Sequence, residues 1–301
     1  MIGQIGGGKN RQSGCIDVAM LQSLVRKGQV EDIVAEYGQV IVDECHHLPA
    51  VTFEQILRQV KARYVMGLTA TPYRRDGHQP IIIMQCGPIR HFINQKDHGS
   101  QGLLRYRLIR RDTSFTLSPQ KKEPTIQDIY TALAADEARN QLIIDDLLQT
   151  LKDGRSPILL TERREHLEFF ASRLTKSVRN VVILHGGMGS RQRRVVVEQL
   201  ATIPVGEERV LLATGRYIGE GFDDARLDTL FLAMPVSWKG TLMQYAGRLH
   251  RLHAGKTEVR IYDYVDSNNP TLLRMFQKRI RGYRAIGYDL DNLGSSTGKI
   301  P

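Results

Sequence analysis

The 301-residue sequence predicts an α/β protein with two lobes, each built on a parallel sheet flanked by helices. Short apolar, β-branched runs of strand length alternate with stretches of helical character, as in sheets covered by helices on both faces. A polar, irregular stretch between about residues 91 and 125 interrupts this alternation once. At ~100–200 residues per domain, the length also favours two domains.

The expected elements follow in chain order. In the first lobe, strand-like runs lie at 38–44 (GQVIVDE), 64–72 (YVMGLTATP) and 80–87 (PIIIMQCG), and 53–63 (FEQILRQVKAR) has the composition of a connecting helix. The run at 103–111 has the character of an edge strand. In the second lobe, strands are expected at 156–161, 180–186, 208–214, 229–235 and 258–265, with helices at 126–152, 162–176, 190–201, 239–250 and about 270–284.

These elements set the expected domain boundaries. The first lobe covers residues 1–98, a connecting segment 99–125, the second lobe 126–290 and a flexible tail 291–301. The second lobe has a full set of alternating strands and helices. The first has few elements for its class, so the sequence predicts that the first lobe is incomplete.

Charge and composition narrow the classes of function. Forty-two Lys and Arg against 32 Asp and Glu give a net charge of +10, which favours polyanionic partners, nucleic acid above all. Three cysteines are too few for a disulfide framework, so the expected location is the cytoplasm, in association with the nucleoid, or another reducing intracellular compartment. No apolar stretch approaches the ~20 residues needed to cross a bilayer, which argues against a membrane partner.

The most informative local pattern is the acid pair Asp43-Glu44 at the end of the VIVD run. Catalytic groups in open α/β sheets gather at the carboxyl ends of strands, where these acids fall. Adjacent carboxylates suit nucleotide hydrolysis, because the first can hold Mg²⁺ through water while the second orients and deprotonates the attacking water. The pair therefore indicates a hydrolytic site rather than a solvated strand end.

Six segments resemble, in the right order, the motifs of superfamily 2 helicases and translocases. VDECHH and GLTATPYRRDG resemble motifs II and III, LLTERREHLEFF (159–170) resembles motif IV, and ILHGGMG (183–189) resembles the strand segment that follows it. LLATGRYIGEGFDD (211–224) resembles motif V, and QYAGRLHRLH (244–253) fits the motif VI pattern Q-x-x-G-R-x-x-R. The sequence is most similar to the DNA-repair and type III restriction subunit branch, grouped with DEAD/DEAH-box proteins.

This resemblance implies two RecA-like lobes, ATP and Mg²⁺ as cofactors, and roles for individual residues. Asp43 would hold Mg²⁺, Glu44 would activate water, and His46 would couple hydrolysis to the segment 69–71. One motif VI arginine would be the arginine finger, which stabilises charge on the transferring phosphoryl group. The residues implied to act on the nucleotide from the second lobe are Gln244, Arg248, Arg251, Gly221 and Asp223. Those implied to contact DNA are Gln22, Ser23, Thr69, Thr71, Thr214 and Gly215.

One family motif has no convincing counterpart. The phosphate-binding loop reads G-x-x-x-x-G-K-[ST], and the segment 3–10 (GQIGGGKN) nearly matches it. However, Asn10 replaces the metal-binding hydroxyl, only two residues precede the segment, and Asp43 follows Lys9 by only 34 positions. The glycines are therefore interpreted as a turn before a strand around Ile16–Ala19. The chain is expected to start partway through the first lobe, with the loop supplied by an upstream segment or a partner subunit.

The expected function is thus the C-terminal portion of an ATP-dependent DNA helicase or translocase. Such a protein couples hydrolysis to sequence-independent movement along the DNA backbone. Little ATPase activity is expected from these 301 residues alone, because the loop is missing. The alternative is a non-catalytic nucleic-acid-binding module that retains the motifs as scaffold.

Three further patterns have weaker interpretations. The run Cys45-His46-His47 lacks a second ligand pair at suitable spacing, so no zinc site is predicted. Trp238 is expected to be a packing anchor rather than a platform for base stacking. The last helix carries basic residues that form either a solvated face or a contact for the DNA backbone, namely Lys278, Arg279, Arg281 and Arg284.

Overall fold

The computed structural model describes residues 2–26, 28–45, 50–69, 79–91, 104–117, 124–215, 223–236 and 239–291. The chain divides into two compact units, Met1–Phe92 and Ile93–Pro301. Among the described residues, no helix is both long enough and apolar enough to traverse a bilayer.

The described part of the first unit contains three small sheets. Strand β1 (Ile2–Gly6) pairs antiparallel with β2 (Lys9–Arg11) and parallel with β3 (Ile16–Ala19). Strands β4 (Val25–Arg26) and β5 (Gln29–Val30) are antiparallel, whereas β6 (Gln39–Val42) and β7 (Tyr64–Gly67) are parallel. The helices are α1 (Ala50–Gln59) and α2 (Gln79–Cys86), with 3₁₀ turns at Leu21–Leu24 and Asp32–Ala35.

The glycine-rich segment at 3–10 forms a β-hairpin. Ile5 pairs with Asn10 across it, and the turn places Gly7 and Gly8 at φ values of +62° and +80°, which favour glycine. The predicted turn is present, but it joins two strands, and the strand predicted around Ile16–Ala19 lies beside the first of them. A phosphate-binding loop leads into the N-terminus of a helix, whereas this segment leads into an antiparallel strand.

The predicted strand at 80–87 is wrong, because this segment lies in α2. Its apolar run has no clear period, and such a run fits a strand or a buried helix equally well. The helix buries Ile82 and leaves Met84 exposed. Only packing onto the rest of the unit therefore decides between the two structures.

The first unit has a small core and an uncovered apolar sheet face. Its core cluster holds four buried side chains, those of Ile5, Ile33, Val34 and Ile56. Strands β6 and β7 pair Ile41 with Met66 and Gln39 with Tyr64, so these side chains share one face of the sheet. Ile41, Tyr64 and Met66 are 57%, 58% and 48% exposed. One face of this strand pair is therefore apolar and open.

The second unit is built on a seven-stranded sheet in the order β10-β11-β9-β12-β13-β8-β14, and all its pairs are parallel. Its strands are β8 (Arg105–Asp112), β9 (Pro157–Thr161), β10 (Val181–Leu184), β11 (Val210–Thr214), β12 (Thr229–Leu232), β13 (Glu258–Val265) and β14 (Asp289–Asp291). Its helices are α3 (Ile126–Ala135), α4 (Glu137–Lys152), α5 (Arg164–Leu174), α6 (Ser190–Thr202), α7 (Lys239–Leu249) and α8 (Pro270–Ala285).

Helices cover both faces of this sheet. Ile158 and Leu160 of β9 belong to one core cluster, together with side chains of α6, α7 and α8. Leu159, which points to the opposite face, belongs to a second cluster with side chains of α4 and α5. The predicted α/β class with a parallel sheet between helices is confirmed.

Two elements of the second unit differ from their predicted form. Strand β8, expected at an edge of its sheet, lies between β13 and β14, and Leu108 is fully buried there. The single helix expected at 126–152 is divided into α3 and α4 at Asp136. The Asp136 carboxylate accepts a hydrogen bond from the Arg139 amide at 2.7 Å, which caps the second helix.

Arg279 does not belong to the exposed basic face of the last helix. Its guanidinium donates two hydrogen bonds to Asp263, at 2.7 and 2.8 Å, and both side chains are almost fully buried. Tyr283 donates to the same carboxylate at 2.7 Å. Lys278, Arg281 and Arg284 do lie on the exposed side of α8. Arg279 therefore belongs neither to a solvated face nor to a contact for the DNA backbone.

Candidate nucleotide and nucleic-acid sites

The acid pair lies in a turn that is bonded to the segment after the neighbouring strand. The Leu68 amide donates to the Val42 carbonyl at 2.8 Å, and the Cys45 amide donates to the Leu68 carbonyl at 3.1 Å. These bonds fasten both ends of the turn to the segment that continues into Thr69. The structure thus brings together the motif II and motif III segments at the carboxyl ends of β6 and β7.

The backbone of this turn is unusual at Glu44. Its φ of +45° lies in the left-handed region, which costs a non-glycine residue about 1–2 kcal/mol. The Glu44 amide donates to Oδ1 of Asp43 at 2.9 Å. Strained backbone of this kind gathers at functional sites, where the surrounding structure enforces it. Asp43 is exposed at the strand end, and its hard carboxylate oxygens fit a water-mediated Mg²⁺ contact.

Behind the turn, Gly67 makes room for two cysteines. A Cβ built on Gly67 would lie 3.0 Å from Sγ of Cys86 and 3.2 Å from Sγ of Cys45. The Cys86 thiol donates a hydrogen bond to Cys45, which lowers the pKa of Cys45, and the same bond raises the pKa of Cys86. Cys45 is buried, so this residue anchors the end of the turn.

Gln22 and Ser23, the predicted DNA-contacting residues of the first unit, lie in the 3₁₀ turn at Leu21–Leu24. Leu21 and Leu24 pack against the small core, while Gln22 is exposed. Oγ of Ser23 lies 2.9 Å from the position of a Cβ on Gly6, so the hydroxyl faces β1. Gln22 is therefore presented to solvent, whereas Ser23 is half-buried.

A cavity of about 200 Å³ lies at the carboxyl ends of β9, β10 and β11. Thr214 ends β11, and its Oγ1 accepts a hydrogen bond from the Gly186 amide at 3.3 Å. The Gly187 amide donates to Nδ1 of His185 at 3.2 Å. The lining residues are Glu162, Arg164, His185, Gly186, Gly187, Thr214 and Gly215. The structure therefore brings the predicted residues Thr214 and Gly215 together in this site, the polar cavity of the second unit.

The motif VI residues lie on α7 and just beyond its end. Gln244 and Arg248 are four residues apart and share one helix face, while Tyr245 and Leu249 are buried in the core. Arg251 follows the helix, and its Nη1 donates to the Asp223 carboxylate. Two residues implied to act on the nucleotide, from motifs V and VI, are thus in direct contact.

Three predicted site residues, His46, Thr71 and Gly221, lie outside the residues that the structure describes, and so does Trp238.

Comparisons with known proteins match both units. Residues 2–74 match the family profile described as type III restriction enzyme, res subunit, and residues 139–253 match the helicase conserved C-terminal domain. The chain is a superfamily 2 helicase-like protein of the type III restriction and DEAD-like branch.

Several relatives show how much of a helicase the chain represents. It is 24% identical over 91% of its length to a protein of Acanthamoeba polyphaga mimivirus described as an ATP-dependent RNA helicase, of which it covers 52%. It is 30% identical over 85% of its length to a protein of Invertebrate iridescent virus 6 described as a helicase, of which it covers 57%. The helicase-like chain therefore spans about half the length of these relatives.

The fold is similar to that of a restriction-enzyme subunit. A fragment of the HsdR subunit of a type I restriction enzyme from Vibrio vulnificus matches with a TM-score of 0.66 at 19% sequence identity. The match covers 96% of the helicase-like chain and 54% of that chain.

Sequence reasoning missed five residues of the polar cavity in this helicase-like chain, Glu162, Arg164, His185, Gly186 and Gly187. The available signal was the run HGG directly after a buried strand, because small residues at a strand end expose amide groups to an anion. Lys256 was also missed, although its ammonium makes three hydrogen bonds around motifs V and VI. A single lysine in a loop gives no comparable sequence signal.

Replacing Gly215 of the helicase-like chain with alanine is expected to lower the free energy of unfolding by about 1–3 kcal/mol. The new Cβ would lie 2.2 Å from the hydroxyl oxygen of Tyr245, a side chain that is buried and cannot move away freely. Urea denaturation measures the loss. In the matched control Gly247→Ala, a Cβ meets nothing within 4 Å inside α7, so stability should rise by about 0.5–1 kcal/mol. Equal effects of the two substitutions would contradict the prediction.

Proposed function

We propose that the chain is the C-terminal portion of an ATP-dependent DNA helicase or translocase that couples hydrolysis to movement along DNA. The supporting observation is the turn 43–45, which holds the acid pair in strained backbone against the motif III segment. The choice of DNA over RNA is supported by the similarity to restriction subunits.

In the proposed reaction, Glu44 accepts a proton from the attacking water, and Asp43 holds Mg²⁺ through water. The ion, when bound, neutralises charge on the phosphates. Arg248 and Arg251 stabilise the transferring phosphoryl group, one of them as the arginine finger, and Gln244 hydrogen-bonds the reacting groups. His46 and Gly221 keep their proposed roles at the nucleotide, together with Asp223.

We propose that the polar cavity of the second unit binds a phosphate of the nucleic-acid backbone. Thr214 and three glycines, Gly186, Gly187 and Gly215, form a small-residue surface at the strand ends, where a phosphate oxygen can approach the main chain. Arg164 supplies a positive charge.

The proposed nucleic-acid contacts of the first unit are Gln22, Ser23, Thr69 and Thr71. Phosphate contacts of this kind make binding independent of sequence and sensitive to salt.

Two opposite charge changes in the cavity test this proposal. Arg164→Met removes a cation and should weaken binding of a fluorescent single-stranded oligonucleotide. The slope of the log binding constant against log salt concentration should become shallower by about 1. Glu162→Gln removes a carboxylate that repels phosphate, so it should strengthen binding. Fluorescence anisotropy measures the affinity of both variants for DNA and for RNA. The salt concentration is varied from roughly 50 to 200 mM, the range over which phosphate contacts weaken. Effects of the same sign for the two variants would contradict the proposal.

We propose that the open face of β6 and β7 is covered by the element that carries the phosphate-binding loop, from the same polypeptide or from a partner subunit. The exposed Ile41, Tyr64 and Met66 support this, because contiguous apolar surface is costly to leave in water. The isolated chain should then hydrolyse ATP weakly, and a chain extended at its amino end should hydrolyse it faster. If the isolated chain and the extended chain both bind DNA with an affinity that ATP does not change, the non-catalytic module is favoured.

A further inference from the structure

Lys256 makes three hydrogen bonds that join two separate segments of the second unit. Its Nζ donates to the carbonyl oxygens of Ala225 at 3.1 Å and Leu227 at 2.5 Å, in the segment that follows motif V. It also donates to the carbonyl oxygen of Arg251 at 2.9 Å, at the end of motif VI. One ammonium group therefore holds the backbone of a motif VI arginine against the backbone after motif V.

The charge of this ammonium suits three carbonyl acceptors. Burial lowers the pKa of Lys256 to about 8. The negative charges of Asp228 and Asp224 raise the pKa in part, and the positive charge of Arg155 lowers it. At pH 7 the amine therefore still carries its proton and has three N–H groups, one for each carbonyl.

The ion pair between the two segments is too weak to hold them by itself. The side chains of Arg251 and Asp223 are 47% and 50% exposed, and solvent screening leaves ion pairs in such positions weak. Charge-assisted hydrogen bonds are stronger than neutral ones, and Lys256 makes three of them to backbone carbonyls. The lysine bonds are therefore the stronger connection between the segments.

We propose that Lys256 is a positioning residue, whose ammonium locks the segment after motif V onto the end of motif VI so that Asp223 and Arg251 act on the nucleotide together. This inference rests on the proposed function. Lys256 itself contacts no reacting group. Its effect passes through the backbone carbonyl of Arg251 and through the segment that begins two residues after Asp223.

Hydrogen–deuterium exchange at pH 7 tests whether Lys256 joins the two segments. In Lys256→Met, the amides of 223–228 and 250–256 should both exchange at least about tenfold faster, because opening no longer breaks three hydrogen bonds. Lys256→Arg retains a cationic donor and should restore most of the protection. Lys176→Met is the control, since it removes an exposed lysine from the same unit. Unchanged exchange, or a change in only one segment, would overturn the inference.

Steady-state kinetics test whether this connection positions Arg251. In a form of the protein that hydrolyses ATP, Lys256→Met should lower kcat at least about tenfold with little change in KM, because the arginine acts in the transition state. Lys256→Arg should recover most of kcat. Faster exchange with an unchanged kcat would overturn the positioning role. If the wild-type protein hydrolyses no ATP, that result contradicts the proposed function instead. The exchange experiment still decides whether Lys256 joins the segments.

Discussion

In a form of the protein that hydrolyses ATP, replacing Glu44 with glutamine is expected to reduce nucleic-acid-stimulated hydrolysis by about 10²–10⁴-fold while leaving ATP binding intact. The amide has nearly the same size as the carboxylate but cannot accept a proton from water. The turn that holds Glu44 at a φ of +45° is bonded through the backbone, so the substitution should not disturb it. A coupled assay of phosphate release, together with binding of a fluorescent nucleotide, separates the two effects.

The matched control for this substitution is Glu54→Gln in the same unit. Glu54 lies on α1 and pairs with Arg58 one helical turn away, at 2.5 Å, on the protein surface. Its replacement should leave hydrolysis within about twofold of wild type, since an exposed helix pair contributes only ~0.3–0.5 kcal/mol. Hydrolysis by Glu44→Gln at the rate of this control would remove Glu44 from the mechanism.

Replacing Asp263 with alanine is expected to lower the free energy of unfolding by about 3–5 kcal/mol. The substitution leaves the guanidinium of Arg279 buried without its carboxylate, and it also removes the acceptor of Tyr283. The remaining bond from Arg279 to the carbonyl of Val236, at 3.3 Å, cannot replace a bidentate ion pair. Urea denaturation of the wild type and the variant measures the difference.

Two further variants establish that burial causes this loss. Asp112→Ala breaks an exposed pair with Arg110 and should cost at most about 1 kcal/mol. The double variant Asp263→Leu/Arg279→Met replaces the buried pair with apolar side chains and should recover part of the stability. If Asp263→Ala costs no more than Asp112→Ala, the buried pair does not stabilise the fold.

Much of the candidate site could be predicted because its signals are local. The acid pair follows a short apolar run, and Thr214 follows another, so each pattern places a polar group at a strand end without knowledge of the partners. The family resemblance implied a role at the nucleotide for Asp223 and for Arg251, but not their contact with each other. The role of Lys256 could not be predicted, because its three acceptors are backbone carbonyls, and every residue has one.

The sequence by itself determined the alternation of strands and helices and the positions of the family motifs, because both depend on neighbouring residues. The tertiary structure alone decided that 80–87 is a helix, that β8 lies inside its sheet and that Arg279 is buried. In each of these cases the local pattern is compatible with two structures. Contacts with residues distant in the chain, such as Asp263 for Arg279, favour one of them through burial and pairing.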